Sequence, residues 1–188
     1  MPDASHAILQ QRDGRAVLLF ERVLTHPPER VWSALTTYDG LSDWHPTPFE
    51  LDGSPPAPGG RVRFISTPEA PEMPDGRLLE YDPPRLLAHT WGDDELHWEL
   101  EDREDGCLLR LTHIFDDRFK AARDASGWHL CLGALSSSLE LAPRPRRVLE
   151  PGLEPGLPQG WSDLNRDYER RFGIEPEQAT PPPTTGSS

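Results

Sequence analysis

Two alternating runs, joined by an Asp-Gly turn and followed by a switch to helical spacing, constrain this chain more than any other feature. Glu95 to Glu101 reads ELHWELE, with Leu96, Trp98 and Leu100 at every second place and His97, Glu99 and Glu101 between them. Cys107 to Phe115 reads CLLRLTHIF, where Arg110 and Thr112 mark an outer face and Leu109, Leu111, His113 and Phe115 an inner one. A period of two is that of a strand, whose successive side chains point to opposite sides. Asp105-Gly106 between the runs is a strong hairpin signal. Such a pair is antiparallel and has one apolar face to cover. After Asp116-Asp117 the spacing becomes helical and runs to about Leu141, with Trp128, Leu132, Leu135 and Leu139 in one stripe, widened by Leu130, Cys131 and Ala134. This segment is the one long and apolar enough to cover the sheet.

The rest of the chain extends that design. Ala16 to Leu24, AVLLFERVL, reads as a first strand. Pro27 and Pro28 suit a first helical turn, Glu29 adds favourable charge there, and Val31, Trp32 and Leu35 follow at helical spacing. A helix over 27–37 and a short second one at 41–44 are expected. His45 to Pro58 holds several prolines and reads as a loop or irregular edge. Strands are expected in GRVRFIST at 60–67, at 77–82 and at 85–91, with Pro83-Pro84 as the connection between the last two. Gly92-Asp93-Asp94 reads as a turn. The order, strand, two short helices, a run of antiparallel strands and one long helix, is that of an α+β domain.

Outside that domain, residues 1–14 are expected to be flexible, with the domain proper at 15–141. APRPRRVLEPGLEPGLPQG, residues 142–160, reads as a Pro/Gly-rich linker. A helix follows at 161–173, capped by Ser162, with Leu164, Tyr168 and Phe172 in a stripe suited to docking on the domain, and Gly173 ends it. Residues 174–188 are expected to be a disordered tail.

Charge and cysteine content narrow the partners. The 188 residues carry 19 basic and 32 acidic side chains, a formal net charge of -13. That charge argues against nucleic acid and against an anionic membrane surface. No signal-peptide core stands at the N-terminus, and no run approaches the roughly 18 apolar residues of a membrane span. Cys107 and Cys131 sit in apolar runs and read as reduced, buried thiols. A cytoplasmic location is the expectation. Unprotected sheet edges permit an oligomer, though nothing in the residues calls for one.

A twisted sheet wrapped around one helix tends to leave a gap between the two. Trp44, Trp91, Trp98 and Trp128 fall on segments bordering it, and their indoles offer wide apolar area with an N–H to orient a polar atom. Phe64, Leu100 and Leu111 belong to the same sheet face, and Leu132 and Leu135 to the helix. His89 and His113 share the inward faces of their strands and would orient a ligand carbonyl or serve as a general base; plain core packing is the alternative for each Trp and His. His45 and His129 are similar, with weaker placement. No histidine pair has metal-ligand spacing beside a carboxylate and there is no CxxC, so no metal and no cofactor are expected. Glu99 and Glu101 read as a solvated face, while Glu21 and Glu80 lie in apolar strands with their direction open. Ser136-Ser137-Ser138 lacks a nucleophile motif.

Three segments carry a family resemblance: FERVLTHPPERVWSALT, GRLLEYDPPRLLAHTW and GWHLCLGALSSSL, in that order. They resemble the opening strand and helix, the central hairpin and the last long helix of the START-like (SRPBCC) superfamily, most closely bacterial homologues of the C-terminal domain of the heat-shock-protein-90 ATPase activator. WSDLNRDYERRFG is similar to the ending of many of these proteins. The resemblance spans roughly residues 16 to 173. It implies a helix-grip fold, a curved antiparallel sheet around a long C-terminal helix with two short helices after the first strand. It also implies three functions, since one fold hosts several. First is binding of a small hydrophobic or aromatic molecule between sheet and helix. Second is an enzyme of polyketide cyclase or hydrolase type using His89 or His113. Third is a co-chaperone role, ranked last because the eukaryotic activator has an additional N-terminal domain for which this chain has no room.

Overall fold

The computed structural model describes residues 6–66, 72–140, 160–175 and 178–179. Eight strands, β1 (Ile8–Arg12), β2 (Arg15–Leu24), β3 (Phe49–Leu51), β4 (Arg61–Phe64), β5 (Gly76–Asp82), β6 (Leu86–Trp91), β7 (Asp94–Arg103) and β8 (Gly106–Phe115), form one open antiparallel sheet. Their order across it is β1-β2-β8-β7-β6-β5-β4-β3. Helices α1 (Pro28–Thr36) and α2 (Tyr38–Ser42) follow β2, the long helix α3 (Ala121–Glu140) follows a 3-10 turn at Arg118–Lys120, and α4 is Trp161–Phe172. This is the helix-grip arrangement, α+β with a curved sheet around its long helix.

The β7–β8 hairpin is the centre of the ladder. Leu96 stands opposite His113, Trp98 opposite Leu111 and Leu100 opposite Leu109. On the flanks, β2 sets Leu18 opposite His113 and Phe20 opposite Leu111, and β6 sets His89 opposite Leu96 and Leu87 opposite Trp98. One inner rung therefore runs Leu18, His113, Leu96, His89, Leu78. Gly106 closes the hairpin at φ 140°, and a Cβ there would meet the Leu24 carbonyl oxygen at 2.0 Å. Glycine is required at that position on both counts. Helix α3 covers the inner face with Ala121, Ala122, Ala125, Trp128, Leu132, Leu135 and Leu139, all buried. Burial of each leucine in this layer contributes roughly 2 kcal/mol.

Several expectations need correction. Ile8–Arg12, expected within the flexible N-terminus, is the edge strand β1; Asp13 and Gly14, both at positive φ, form a tight turn that folds it back on β2. Of the two alternatives at 45–58, loop or irregular edge, the segment holds both: a loop and then β3, a three-residue edge strand paired with β4. Asp94, assigned to a turn, opens β7 and is buried. Ser162 does not cap α4: Gly160 is the N-cap and gives no side-chain bond. Ile174, placed in the disordered tail, is buried against the core. The linker at 142–159 and most of the tail lie outside the described residues. Glu21 and Glu80 are exposed, and Glu21 pairs with Arg110 at 2.8 Å. Both cysteines are free thiols, Cys107 buried and Cys131 half-buried. No helix among the described residues is long and apolar enough to cross a membrane.

Candidate functional site

Between the sheet and α3 lies a continuous layer of aromatic rings. Trp128, projecting from α3, contacts Trp98 of β7 (ring centroids 5.5 Å) and Trp91 of β6 (5.4 Å). Trp98 meets Trp44 at 5.5 Å. Their edge-on and tilted geometries are those that the ring quadrupole favours. The loop after α2 brings Trp44, His45, Thr47 and Phe49 inward, so that His45 contacts Trp44, Phe49, Trp98 and Trp128. Phe49 then reaches Phe64 and His89. Two indole N–H groups hold this loop: Trp44 Nε1 donates to the Ala34 carbonyl and Trp91 Nε1 to Thr47 Oγ1, each at 3.0 Å.

Trp44, Phe64, His89, Trp91, Trp98, His113 and Trp128 thus meet in one ring network, with Trp91 half-buried and the others buried. Leu100, Leu111, Leu132 and Leu135 are buried as well and belong to the aliphatic part of the core. Where an open gap was expected, these rings lie against one another. Two surface cavities lie elsewhere, one of ≈ 560 Å³ beside β1 and the end of α4, the other of ≈ 570 Å³ beside the start of α1 and the Pro84 turn.

The layer has two polar regions of opposite character. At one, His113 Nδ1 accepts from Trp128 Nε1 at 3.2 Å, so Nε2 carries the proton and donates to Asp94 Oδ2 at 2.8 Å. Lys120 Nζ donates to both Asp94 oxygens, at 2.7 and 2.6 Å, and stands 3.8 Å from Asp124. Burial pushes the Asp94 carboxyl up, but the bonds from His113 and Lys120 outweigh it and hold its pKa below the ordinary carboxylate value. Ligand atoms of Asp94, His113 and Asp124 lie within 4.8 Å of one another, a grouping able to hold a metal ion. Lys120, the one lysine in the chain, already supplies that grouping with positive charge. With both ring nitrogens engaged, His113 is poorly suited to be a general base.

At the other region, His89 Nδ1 donates to the Thr90 carbonyl at 3.0 Å, and His45 Nδ1 lies 2.9 Å from the Thr47 carbonyl. The Nε2 atoms of both rings are buried without a hydrogen-bond partner. Burial is the main reason that their pKa values fall, to about 3 for His45 and about 4 for His89. Both are neutral imidazoles around neutrality.

Alternation placed His89 and His113 on the same face, but Asp94 escaped it because Gly92-Asp93 suggested a longer turn. Its parity with Leu96, Trp98 and Leu100 was the available signal. His45 was legible only weakly and Thr47 and Phe49 not at all, since an irregular loop has no period to read.

The model of one protein family, described as activator of Hsp90 ATPase homolog 1-like protein, matches residues 25–140. No curated protein matches. Among solved structures, a conserved protein of unknown function from Enterococcus faecalis is 20% identical, with a TM-score of 0.67 over 92% of this chain and 94% of that one. CalU16 from Micromonospora echinospora is 19% identical, with a TM-score of 0.67 over 93% and 97%. A protein from Bordetella parapertussis is 27% identical, with a TM-score of 0.60 over 86% and 88%. The first two likenesses establish the fold and no more.

Proposed function

The chain belongs to the activator of Hsp90 ATPase homolog 1-like family, and from that premise we propose that its sheet–helix interior binds a small hydrophobic or aromatic molecule. The carrying observation is the convergence of Trp44, Trp91, Trp98 and Trp128 with His45, His89 and His113 in one layer. Rings of this size offer a flat guest dispersion and edge-to-face contacts, and the imidazoles offer it orientation. Because the rings touch, a guest enters by displacing them. The segment from His45 to Phe49 is the element to yield: it is short, irregular and closed by β3 at the edge of the sheet. Binding loops are commonly irregular segments of this kind, positioned by a rigid scaffold.

Tryptophan fluorescence titrated with fatty acids, flavonoids and polyketide-like aromatics tests this reading. A saturable change with at least one class is the expected result. Silence across the whole panel would reject it.

The family description favours a second reading, stimulation of a heat-shock-protein ATPase. Added to the cognate bacterial chaperone, the chain would then raise ATP hydrolysis in proportion to complex formed; an unchanged rate at saturating chain would exclude it.

A further inference from the structure

We propose that the guest of this interior carries a hydroxyl hydrogen-bond donor on an aromatic ring, which it delivers to the bare Nε2 of His89. This rests on the reading of the interior as a binding site and specifies its chemistry.

The Thr90 carbonyl fixes the tautomer of His89. A carbonyl oxygen only accepts, so the 3.0 Å contact to Thr90 places the His89 proton on Nδ1. Nε2 is then an unshared lone pair. His89 is fully buried, and Phe49 and Phe64 face its ring at 4.8 and 6.2 Å. His45 has a bare nitrogen as well: its Nδ1 faces both the carbonyl of Thr47, at 2.9 Å, and the Thr47 N–H, at 3.2 Å, and its Nε2 is buried without a partner. Two imidazoles with a bare buried nitrogen therefore flank one phenyl ring, since Phe49 stands 5.5 Å from His45 and 4.8 Å from His89.

An unmet buried acceptor is costly, and the same layer meets both nitrogens of His113. A water would need two to four polar partners, and Phe49 and Phe64 supply none to His89. The partner that fits is an aromatic hydroxyl: its ring replaces the Phe49 ring, and its O–H meets a lone pair. A ketone, an ether or a carboxylate would set lone pair against lone pair. Its low pKa keeps the His89 ring neutral, and so accepting at Nε2, at neutral pH.

The test compares 2-naphthol with 2-methoxynaphthalene, which share a ring system and differ in the donor, on the full chain. The expected result is at least a tenfold tighter Kd for 2-naphthol, with the His89 Nε2 resonance moving in a long-range ¹H–¹⁵N correlation spectrum. His89→Leu is expected to shrink that preference. If the variant does not fold, the nitrogen resonance of the unsubstituted protein decides alone. Equal affinities, or binding of fatty acids but of neither naphthalene, would overturn the donor assignment and leave the binding reading standing. No binding by either naphthalene or by any member of the broader panel would remove both.

Discussion

The two polar regions of the aromatic layer are built from the same residue type and reach opposite states. Around His113 every polar atom has a partner, in a chain from Trp128 through the imidazole to Asp94 and Lys120. Around Phe49, His45 and His89 each engage one nitrogen with nearby backbone groups and leave the other bare. A fully satisfied network locks the position of its members, whereas a half-satisfied one raises the energy of the state that contains it. The first region is therefore scaffold. It fixes the ring of Trp128, against which Trp91, Trp98 and His45 pack. The second region is where a partner supplied from outside would lower the energy most.

The two regions are expected to differ most under acid. Both bare imidazoles have folded-state pKa values lowered from 6.5, to about 3 and about 4. A lowered histidine pKa means that stability is complete above pH 6.5 and is lost as pH falls towards the folded values, because the unfolded chain takes up protons that the interior refuses. At pH 5 the loss is about 2 kcal/mol for each ring and about 4 kcal/mol together. Urea unfolding at pH 7.5 and pH 5 measures it. In a His45→Leu, His89→Leu double variant most of that difference is expected to vanish; an undiminished loss would place the acid sensitivity elsewhere.

Next in size is the satisfied region. Lys120→Met leaves the Asp94 carboxylate buried with only His113 beside it. The expected cost is about 3 kcal/mol, since removing one partner strands the other charge. A change in the denaturant midpoint worth less than about 0.5 kcal/mol, typical of an exposed pair, would show that Lys120 is an ordinary surface cation.

The smallest expected effect is also the most discriminating. His89→Leu removes a bare acceptor and keeps an apolar side chain of similar bulk. Its stability is expected to stay within about 1 kcal/mol of the parent, with a tendency to rise, because burying apolar groups in place of an unmet polar one relieves a penalty. Thermal unfolding at pH 7.5 gives the sign. A loss of several kcal/mol would mean that His89 is as firmly built in as His113.

Much of this was legible beforehand, for a physical reason. The inward set Leu96, Trp98, Leu100, Leu109, Leu111, His113 and Phe115 follows from side-chain alternation along two strands, and the Trp128 to Leu139 stripe from helical spacing. Both patterns are local, and burial of one face enforces them. The β1 edge was within reach as well, because Asp13-Gly14 is a hairpin signal of the same kind as Asp105-Gly106.

Residue order alone determined the α+β class, the helix that covers the sheet and the faces on which His89 and His113 stand. Tertiary structure decided the rest, because it depends on groups distant in sequence. Asp94 is tolerable in the interior only because Lys120 and His113 converge on it. The expected gap is occupied because the loop carrying Trp44, His45 and Phe49 folds into it. Whether a buried imidazole finds a partner for its second nitrogen is settled by which side chains surround it in space, and no spacing along the chain encodes that.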